Sequence, residues 1–287
     1  MAVRIISDSG SEYQTSDHPA LDVLPLTVAF GSDVYREGVD LTHERFYELL
    51  VEREENPTTG QVTPFVFAEA LDRAREAGDD VVIITMSSKL SGTYQSACAA
   101  AAQAHEQGLQ TVRVVNSLSM TLGERILVEY ALRMVDAGCG AHEIADALVP
   151  AASRVRILGL IDTLEYLKRG GRISAAAGAV GEMLSIKPVI TVVDGEVVVL
   201  GKARGPKNGR NLLHREVERA GGVDFSMPGA LGYSGLSDKL LRKYLEDNRS
   251  VWEEGVREED LPISQIGAAI GTHVGPGGIA VTFFAHE

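Results

Sequence analysis

The chain has 287 residues, of which 45% are hydrophobic and 23% charged, a composition typical of a globular protein with one large or two ordinary domains. Its net charge of −13 would repel a phosphate backbone, which argues against nucleic-acid binding. No apolar run approaches the ~18 residues needed to span a bilayer, and two cysteines are too few for a disulfide framework or a structural metal site. The first residues enter a strand pattern without a secretory signal, so we expect a cytoplasmic protein.

Three apolar strand patterns in the first half of the chain each lead into small hydroxylated or polar residues. The turns that follow them occupy residues 7–11, 85–93 and 116–119. Helical patterns separate the strands, and this alternation predicts a parallel α/β sheet. Because ligands of such sheets bind outside the carboxyl ends of the strands, we expect the three turns to share one crevice.

The second of these turns combines two hydroxyls with an unobstructed backbone. Ser91, Gly92 and Thr93 precede an alanine-rich helical segment, at the point where a helix has unpaired N–H groups, and this pattern favours an anion site. The sequence contains neither G-x-x-x-x-G-K-[ST] nor G-x-G-x-x-G, so a small monoanion such as a carboxylate fits better than a nucleotide. The alternative is that Ser91 only caps the helix, and the turn taken alone favours that alternative.

Two other segments contain candidate ligand contacts. Residues 56–64 form a predicted loop in which Thr63 is the expected helix cap, whereas Thr59 has no such local role. His273 lies in a second predicted loop, where the surrounding glycines allow close approach of a ligand. For His273 the alternative is a purely structural or exposed histidine, the commoner case.

A basic cluster surrounds the glycine pair at residues 170–171. Arg169 can interact favourably with the negative end of the preceding helix, but that role leaves Arg172 unexplained. We predict a domain boundary after residue 150, which gives an N-terminal domain of residues 1–150 and a C-terminal domain of residues 151–287. The second domain includes a hairpin around Asp194–Gly195 and a last strand over residues 278–284.

The sequence lacks the usual signatures of hydrolases and zinc enzymes. Neither G-x-S-x-G nor H-E-x-x-H occurs, and no paired His/Cys cluster is present. We therefore predict no catalytic residue, no metal site and no cofactor.

Several motifs, taken in order along the chain, resemble those of the DegV family. They are Ser-Asp-Ser at 7–9, Thr59 with Gln61, Ser-Gly-Thr-Tyr-Gln-Ser-Ala at 91–97, Asn-Ser at 116–117, Leu-Lys-Arg-Gly-Gly-Arg at 167–172, Ile-Lys-Pro at 186–188, and His-Val-Gly-Pro-Gly at 273–277. Two positions depart from the family pattern: Gly60 replaces the usual serine, and Asn116 the usual aspartate. One hydroxyl near the expected head-group site is therefore missing.

The resemblance implies a bacterial, cytoplasmic carrier of two α/β domains. The first contains a Rossmann-like parallel sheet, and the second is a smaller, mixed α/β domain. Such a carrier holds a long-chain fatty acid between its domains and is not itself an enzyme. It presents the acid to an ATP-dependent fatty acid kinase, whose acyl phosphate enters phospholipid synthesis, and transient membrane contact is compatible with this role.

The resemblance also implies roles for particular residues. The carboxylate contacts carry over onto Thr59 and Ser91, with Gly92 and Thr93 in the same turn and His273 close by. The arginines through which such a carrier interacts with the kinase correspond to Arg169 or Arg172, and to Arg204.

Two other functions remain open at this point. One is a small-molecule kinase or transferase on a related fold, with phosphate at the strand-end turns; the missing nucleotide motifs count against it. The other is a regulatory module in which the ligand switches a protein interface.

Overall fold

The computed structural model describes residues 2–109, 111–173, 185–249 and 262–286. This part of the chain contains a four-stranded, a six-stranded and a three-stranded sheet. All strand pairs of the four-stranded sheet are parallel, and the six-stranded sheet is mixed. The predicted α/β class, with a parallel sheet first and a mixed sheet second, is confirmed.

The first half of the chain forms the parallel sheet, the three-stranded sheet and five helices. Its strands are β1 (Val3–Asp8), β2 (Leu21–Leu24), β3 (Thr27–Phe30), β4 (Asp33–Arg36), β5 (Thr58–Gly60), β6 (Asp80–Thr85) and β7 (Val112–Asn116). Its helices are α1 (His43–Glu52), α2 (Pro64–Ala77), α3 (Thr93–Glu106), α4 (Leu122–Asp136) and α5 (Ala141–Arg154). The parallel sheet has the order β2-β1-β6-β7, and the antiparallel three-stranded sheet the order β4-β3-β5.

The second half contains the six-stranded sheet and four further described helices. Its strands are β8 (Val155–Leu160), β9 (Ile186–Val193), β10 (Glu196–Arg204), β11 (Ala230–Tyr233), β12 (Ile263–Gln265) and β13 (Ile279–Phe284). Its helices are α6 (Glu165–Arg169), α7 (Pro206–Arg219), α8 (Lys239–Asp247) and α9 (Ala268–Val274). The strand order is β10-β9-β8-β13-β11-β12.

The β9–β10 hairpin has the turn that its sequence predicts. Asp194 and Gly195 have φ angles of 50° and 83°, as a two-residue turn matched to the strand twist requires. The boundary predicted after residue 150 falls inside α5, which continues to Arg154, and β8 follows directly. The division into two domains at this point stays a prediction.

Two predicted loops contain regular structure. Residues Thr58–Gly60 form a strand because they pair with β3, whose Thr27 lies opposite Gly60. His273 lies in the last turn of α9 rather than in a loop, and the glycine-rich segment begins only after Val274. Both elements depend on partners distant in sequence, which local patterns do not reveal.

The polar turns after β1, β6 and β7 meet at one edge of the parallel sheet, as predicted. The Asp8 carboxylate accepts a bond of 3.1 Å from the backbone N–H of Met86, and Asn116 Nδ2 donates to Ser88 Oγ at 2.8 Å. Backbone contacts continue this arrangement, since the N–H of Ser87 donates to the Ser119 carbonyl at 2.7 Å. The edge is therefore a connected surface on which a site can be built.

Within the part of the chain that the structure describes, every helix is too short or too polar to cross a bilayer.

Candidate functional site

A cavity of about 300 Å³ lies beside the sheet edge and takes its walls from both halves of the chain. Its polar wall includes Thr59, Gln61, Ser91, Arg172 and His273. Its apolar wall consists of Leu26, Met86, Leu90, Met120, Leu167, Val197, Ala269, Ile270 and Val274. The cavity thus has the amphipathic lining that suits a ligand with one polar end and a long apolar body.

Ser91 forms one side of the polar wall, immediately before α3. Its Oγ lies 2.8 Å from Thr93 Oγ1 and accepts a bond of 3.2 Å from the Thr93 N–H. The capping alternative is therefore partly right, because Ser91 does bind the first N–H of the helix. Thr93 is fully buried behind Ser91 and is not among the residues that line the cavity. When Thr93 donates its hydroxyl proton, Ser91 keeps its own for a ligand.

Thr59 and His273 form another part of the polar wall. Thr59 lies in β5 and His273 in α9, and Thr59 Oγ1 is 2.9 Å from His273 Nε2. Burial, and secondarily the charge of Arg172, lower the pKa of His273 to about 4. The imidazole is therefore neutral at pH 7, so one of its ring nitrogens is a donor and the other an acceptor.

Two glycines make room for these side chains. A Cβ at Gly170 would collide with the imidazole of His273, so this residue of the basic motif lets the histidine pack against the end of α6. A Cβ at Gly92 would collide with the amide of Gln61, whose Nε2 donates to Ser96 Oγ at 2.8 Å. Gly92 therefore leaves room for Gln61 by its missing side chain, and it also lines the cavity.

The three predicted arginines occupy different positions. Arg172 lines the cavity, where its Nε donates to the Leu90 carbonyl at 3.2 Å and its Nη1 to the Gly170 carbonyl at 2.6 Å. Arg169 is exposed and contacts the side chain of Asn56. Arg204 is the exposed last residue of β10 and does not line the cavity. The structure thus brings Arg172 to the candidate site and leaves the other two at the surface.

The departure at Gly60 has a local explanation. A Cβ at this position would collide with Oγ1 of Thr27, which lies opposite on β3. Thr27 therefore places a hydroxyl where the side chain of the usual serine would begin. Asn116 braces the neighbouring turn, since its Oδ1 accepts from the backbone of Ser88 at 3.3 Å and of Leu118 at 3.0 Å.

A smaller cavity of about 30 Å³ continues the apolar side. The two cavities share Met120, Ile270 and Val274 as wall residues. The smaller one also contacts residues of β8, β9 and β13, including Ile157, Ile190 and Ile279. The two cavities are therefore adjacent, and both are lined by residues from the two halves of the chain.

The sequence does not reveal several wall residues. Gln61 belongs to a quoted motif but received no role, and Met86, Met120 and Ile270 resemble core residues because apolar side chains look alike in either setting. Among the described residues, no cluster of three or more His, Cys, Asp or Glu side chains could hold a metal ion.

The DegV family model matches residues 2–286 of the chain. A DegV domain-containing protein of Caldanaerobacter subterraneus is 34% identical over 261 residues, which are 91% of this chain and 90% of that protein. A solved structure that reports fatty acid binding of a DegV family protein from Thermus thermophilus has 27% identity and a TM-score of 0.85, with 100% of both chains covered. The Fatty Acid Kinase (Fak) B3 protein of Streptococcus pneumoniae, loaded with linoleic acid, shares the fold with a TM-score of 0.87, at 22% identity and 100% coverage of both chains.

Proposed function

This chain belongs to the DegV family, and we propose that it binds a long-chain fatty acid in the cavity between its two halves. The observation that supports the proposal is the cavity lining, in which two hydroxyls and a neutral histidine accompany a wall of apolar side chains. The fatty acid bound by the Thermus thermophilus relative supports it.

The carboxylate lies between Thr59 and Ser91 in this proposal. A neutral His273 that donates its Nε2 proton to Thr59 Oγ1 leaves the threonine hydroxyl proton for the ligand. Ser91 has the same freedom when Thr93 donates to it. Two O–H groups and the guanidinium of Arg172 then face one negative charge, and such charge-assisted bonds are the stronger kind.

The apolar tail supplies most of the affinity. Burial of a methylene is worth ~0.8 kcal/mol, so a dozen contribute about 10 kcal/mol before ordering costs. Each hydrogen bond to the charged head group contributes ~1.5 to 3 kcal/mol. A variant without head-group hydroxyls should therefore bind fatty acid weakly but measurably.

The protein acts as a carrier in this proposal and presents the carboxylate to an ATP-dependent fatty acid kinase. The partner supplies the phosphoryl group, and the acyl phosphate goes on to phospholipid synthesis. Arg172 lies at the head-group end, while Arg169 and Arg204 are exposed and available to a partner surface.

Extraction of the purified protein with organic solvent, followed by mass spectrometry, tests the ligand class. We expect a fatty acid in near-stoichiometric amount. Recovery of a nucleotide would instead support the small-molecule kinase or transferase. Recovery of neither ligand would favour the regulatory module.

Paired titrations with palmitic acid and hexadecan-1-ol, delivered from cyclodextrin, test the head-group contacts. Thr59→Ala combined with Ser91→Ala should lower the affinity for the acid by about tenfold per hydroxyl and change that for the alcohol much less. Thr63→Ala is the matched control, because this exposed threonine makes no side-chain bond at the start of α2. Unchanged acid affinity in the double variant would contradict the assignment.

A further inference from the structure

Helix α9 supplies a large part of the cavity wall. Ile270, His273 and Val274 all lie on this seven-residue helix and line the cavity. The position of His273 against Thr59 therefore depends on what holds the helix. Its first residues are held by side chains from the first half of the chain.

Glu12 is one of these side chains. Its carboxylate is buried, and its Oε2 accepts a bond of 2.8 Å from the backbone N–H of Gly267, the residue before the helix. The other oxygen, Oε1, accepts from the hydroxyl of Thr121 at 2.7 Å. Glu12 thus connects the start of α9 to the start of α4.

Glu37 also binds one backbone N–H of the α9 segment and one side-chain hydroxyl. Its Oε1 accepts from the Ala269 N–H at 2.9 Å, and its Oε2 accepts from Ser9 Oγ at 2.6 Å. Ser9 Oγ in turn accepts from the backbone N–H of Leu26, a cavity-wall residue, at 3.0 Å. Glu37 therefore fixes α9 relative to a second part of the same wall.

The surroundings confirm how closely this end of the helix is held. The hydroxyl of Tyr47 donates to the Ile266 carbonyl at 2.9 Å. A Cβ at Gly267 would collide with the carboxylates of Glu12 and Glu37, so only glycine leaves them room at this position. Tyr47 also lies against Gly271, one turn further along the helix.

Burial of two carboxylates to hold a helix costs free energy. Burial raises the pKa of both Glu12 and Glu37, which means that the fold disfavours their charges. Stability alone is often served as well or better by packed apolar side chains at such positions. What carboxylates add is directed acceptors, and each of these two is directed at one backbone N–H of the α9 segment.

We propose that Glu12 and Glu37 are positioning residues of the head-group site, which hold the beginning of α9 and thereby keep His273 at hydrogen-bond distance from Thr59. The proposal rests on the proposed fatty acid function. It assigns to these carboxylates no contact with the ligand, since neither lines the cavity.

Glu37→Met and Glu37→Gln in the full-length protein separate positioning from charge. Methionine has a similar length but no acceptor for the Ala269 N–H, whereas glutamine keeps one oxygen acceptor. We expect Glu37→Met to lower the affinity for palmitic acid about tenfold, with little change for hexadecan-1-ol, and Glu37→Gln to retain most of the acid affinity. Equal losses of affinity for the acid and the alcohol would show that Glu37 has only a structural role.

The NMR signals of the His273 imidazole provide a direct readout of its position. In Glu37→Met the ring resonances should shift, because the contact with Thr59 lengthens. Glu12→Gln keeps an acceptor for the Gly267 N–H and should leave these resonances near those of the unmodified protein. Unshifted resonances in Glu37→Met would overturn the proposal.

Glu124→Gln is the matched control. Glu124 is also fully buried, but its described partner is Ser7, whose Oγ donates to it at 2.9 Å, and it makes no described bond to α9. This variant should preserve the preference for acid over alcohol. If the unmodified protein binds no fatty acid, the proposed function itself fails; if it does bind and Glu37→Met binds equally well, only the positioning role fails.

Discussion

Gly170 is the residue whose missing side chain most directly permits the contact between His273 and Thr59. Its φ of −73° is accessible to any residue, so alanine causes no backbone strain. The added methyl group would instead displace the imidazole. We expect Gly170→Ala to reduce the affinity for palmitic acid by up to about tenfold, as measured by calorimetry, and to leave hexadecan-1-ol binding nearly unchanged.

Gly140 offers the control for this substitution. It precedes α5 with a φ of −81°, and a Cβ there would meet no atom within 4 Å. Gly140→Ala should leave acid affinity unchanged. An equal loss of acid affinity in both variants would show that the effect at Gly170 is not due to His273.

His273 should also make stability depend on pH. Its pKa is lowered from 6.5 to about 4 on folding, so between these values the unfolded chain binds a proton that the folded protein does not. The contribution of His273 to the unfolding free energy should therefore be fully present above pH 6.5 and be lost as the pH falls towards 4, by at most about 1.4 kcal/mol per pH unit. We expect this slope in the difference between the unfolding free energies of the unmodified protein and His273→Gln, measured by urea unfolding from pH 4 to 7.5.

A comparison of the unmodified protein with His273→Gln isolates the contribution of His273 to the pH dependence. Burial raises the pKa of Asp8 to about 7 and also raises the pKa of Glu12, Glu37 and Glu124. These carboxyl groups contribute a pH dependence of the opposite sign, because their folded forms bind protons that the unfolded chain releases. They are present in both proteins, so their contribution cancels from the difference between them. Identical pH profiles for the unmodified protein and His273→Gln would contradict the lowered pKa of His273.

The elements differ in how far their sequences reveal them. β6 and α3 were predictable because an unbroken apolar run and an alanine-rich segment each favour one structure regardless of surroundings. The β9–β10 hairpin was predictable because Asp-Gly favours the positive φ angles that the turn requires.

Helix α9 was not predictable in this way. Gly271 lies within it and Gly267 and Gly275 flank it, and glycine is a poor helix former. Its first N–H groups instead bind Glu12 and Glu37, which are more than 200 residues away in sequence. Strand β5 is similar, because its three residues are ordered by pairing with β3.

The polar half of the cavity could be predicted from motifs, whereas the apolar half could not. Ser91, Thr59 and His273 lie in short polar or glycine-rich segments that stand out against their neighbours. Met120 and Ile270 lie next to buried residues of the same type, and only the tertiary structure shows that they border empty space.

The molecule as a whole has a net charge of −13, which makes its exposed arginines distinctive as contacts for a partner. Arg169 lies at the end of α6 and Arg204 at the end of β10, and neither lines the cavity. Arg172, in contrast, is part of the cavity wall. Alanine variants of Arg169 and Arg204 should therefore behave differently from an alanine variant of Arg172.

If the proposed kinase partnership holds, Arg169→Ala and Arg204→Ala should leave the affinity for palmitic acid unchanged and slow the phosphorylation of the acid by the kinase, because an exposed guanidinium can bind a carboxylate or phosphate of the proposed partner. The defect should shrink at high salt, where screening weakens the same contacts in the unmodified protein. Arg172→Ala should reduce both acid affinity and phosphorylation.

Arg219→Ala on α7, whose exposed guanidinium pairs with Glu216 of the same helix, is the control and should change neither. Full phosphorylation rates in Arg169→Ala and Arg204→Ala would reduce both residues to solvated surface charges, while a loss of acid binding in either would place it in the pocket.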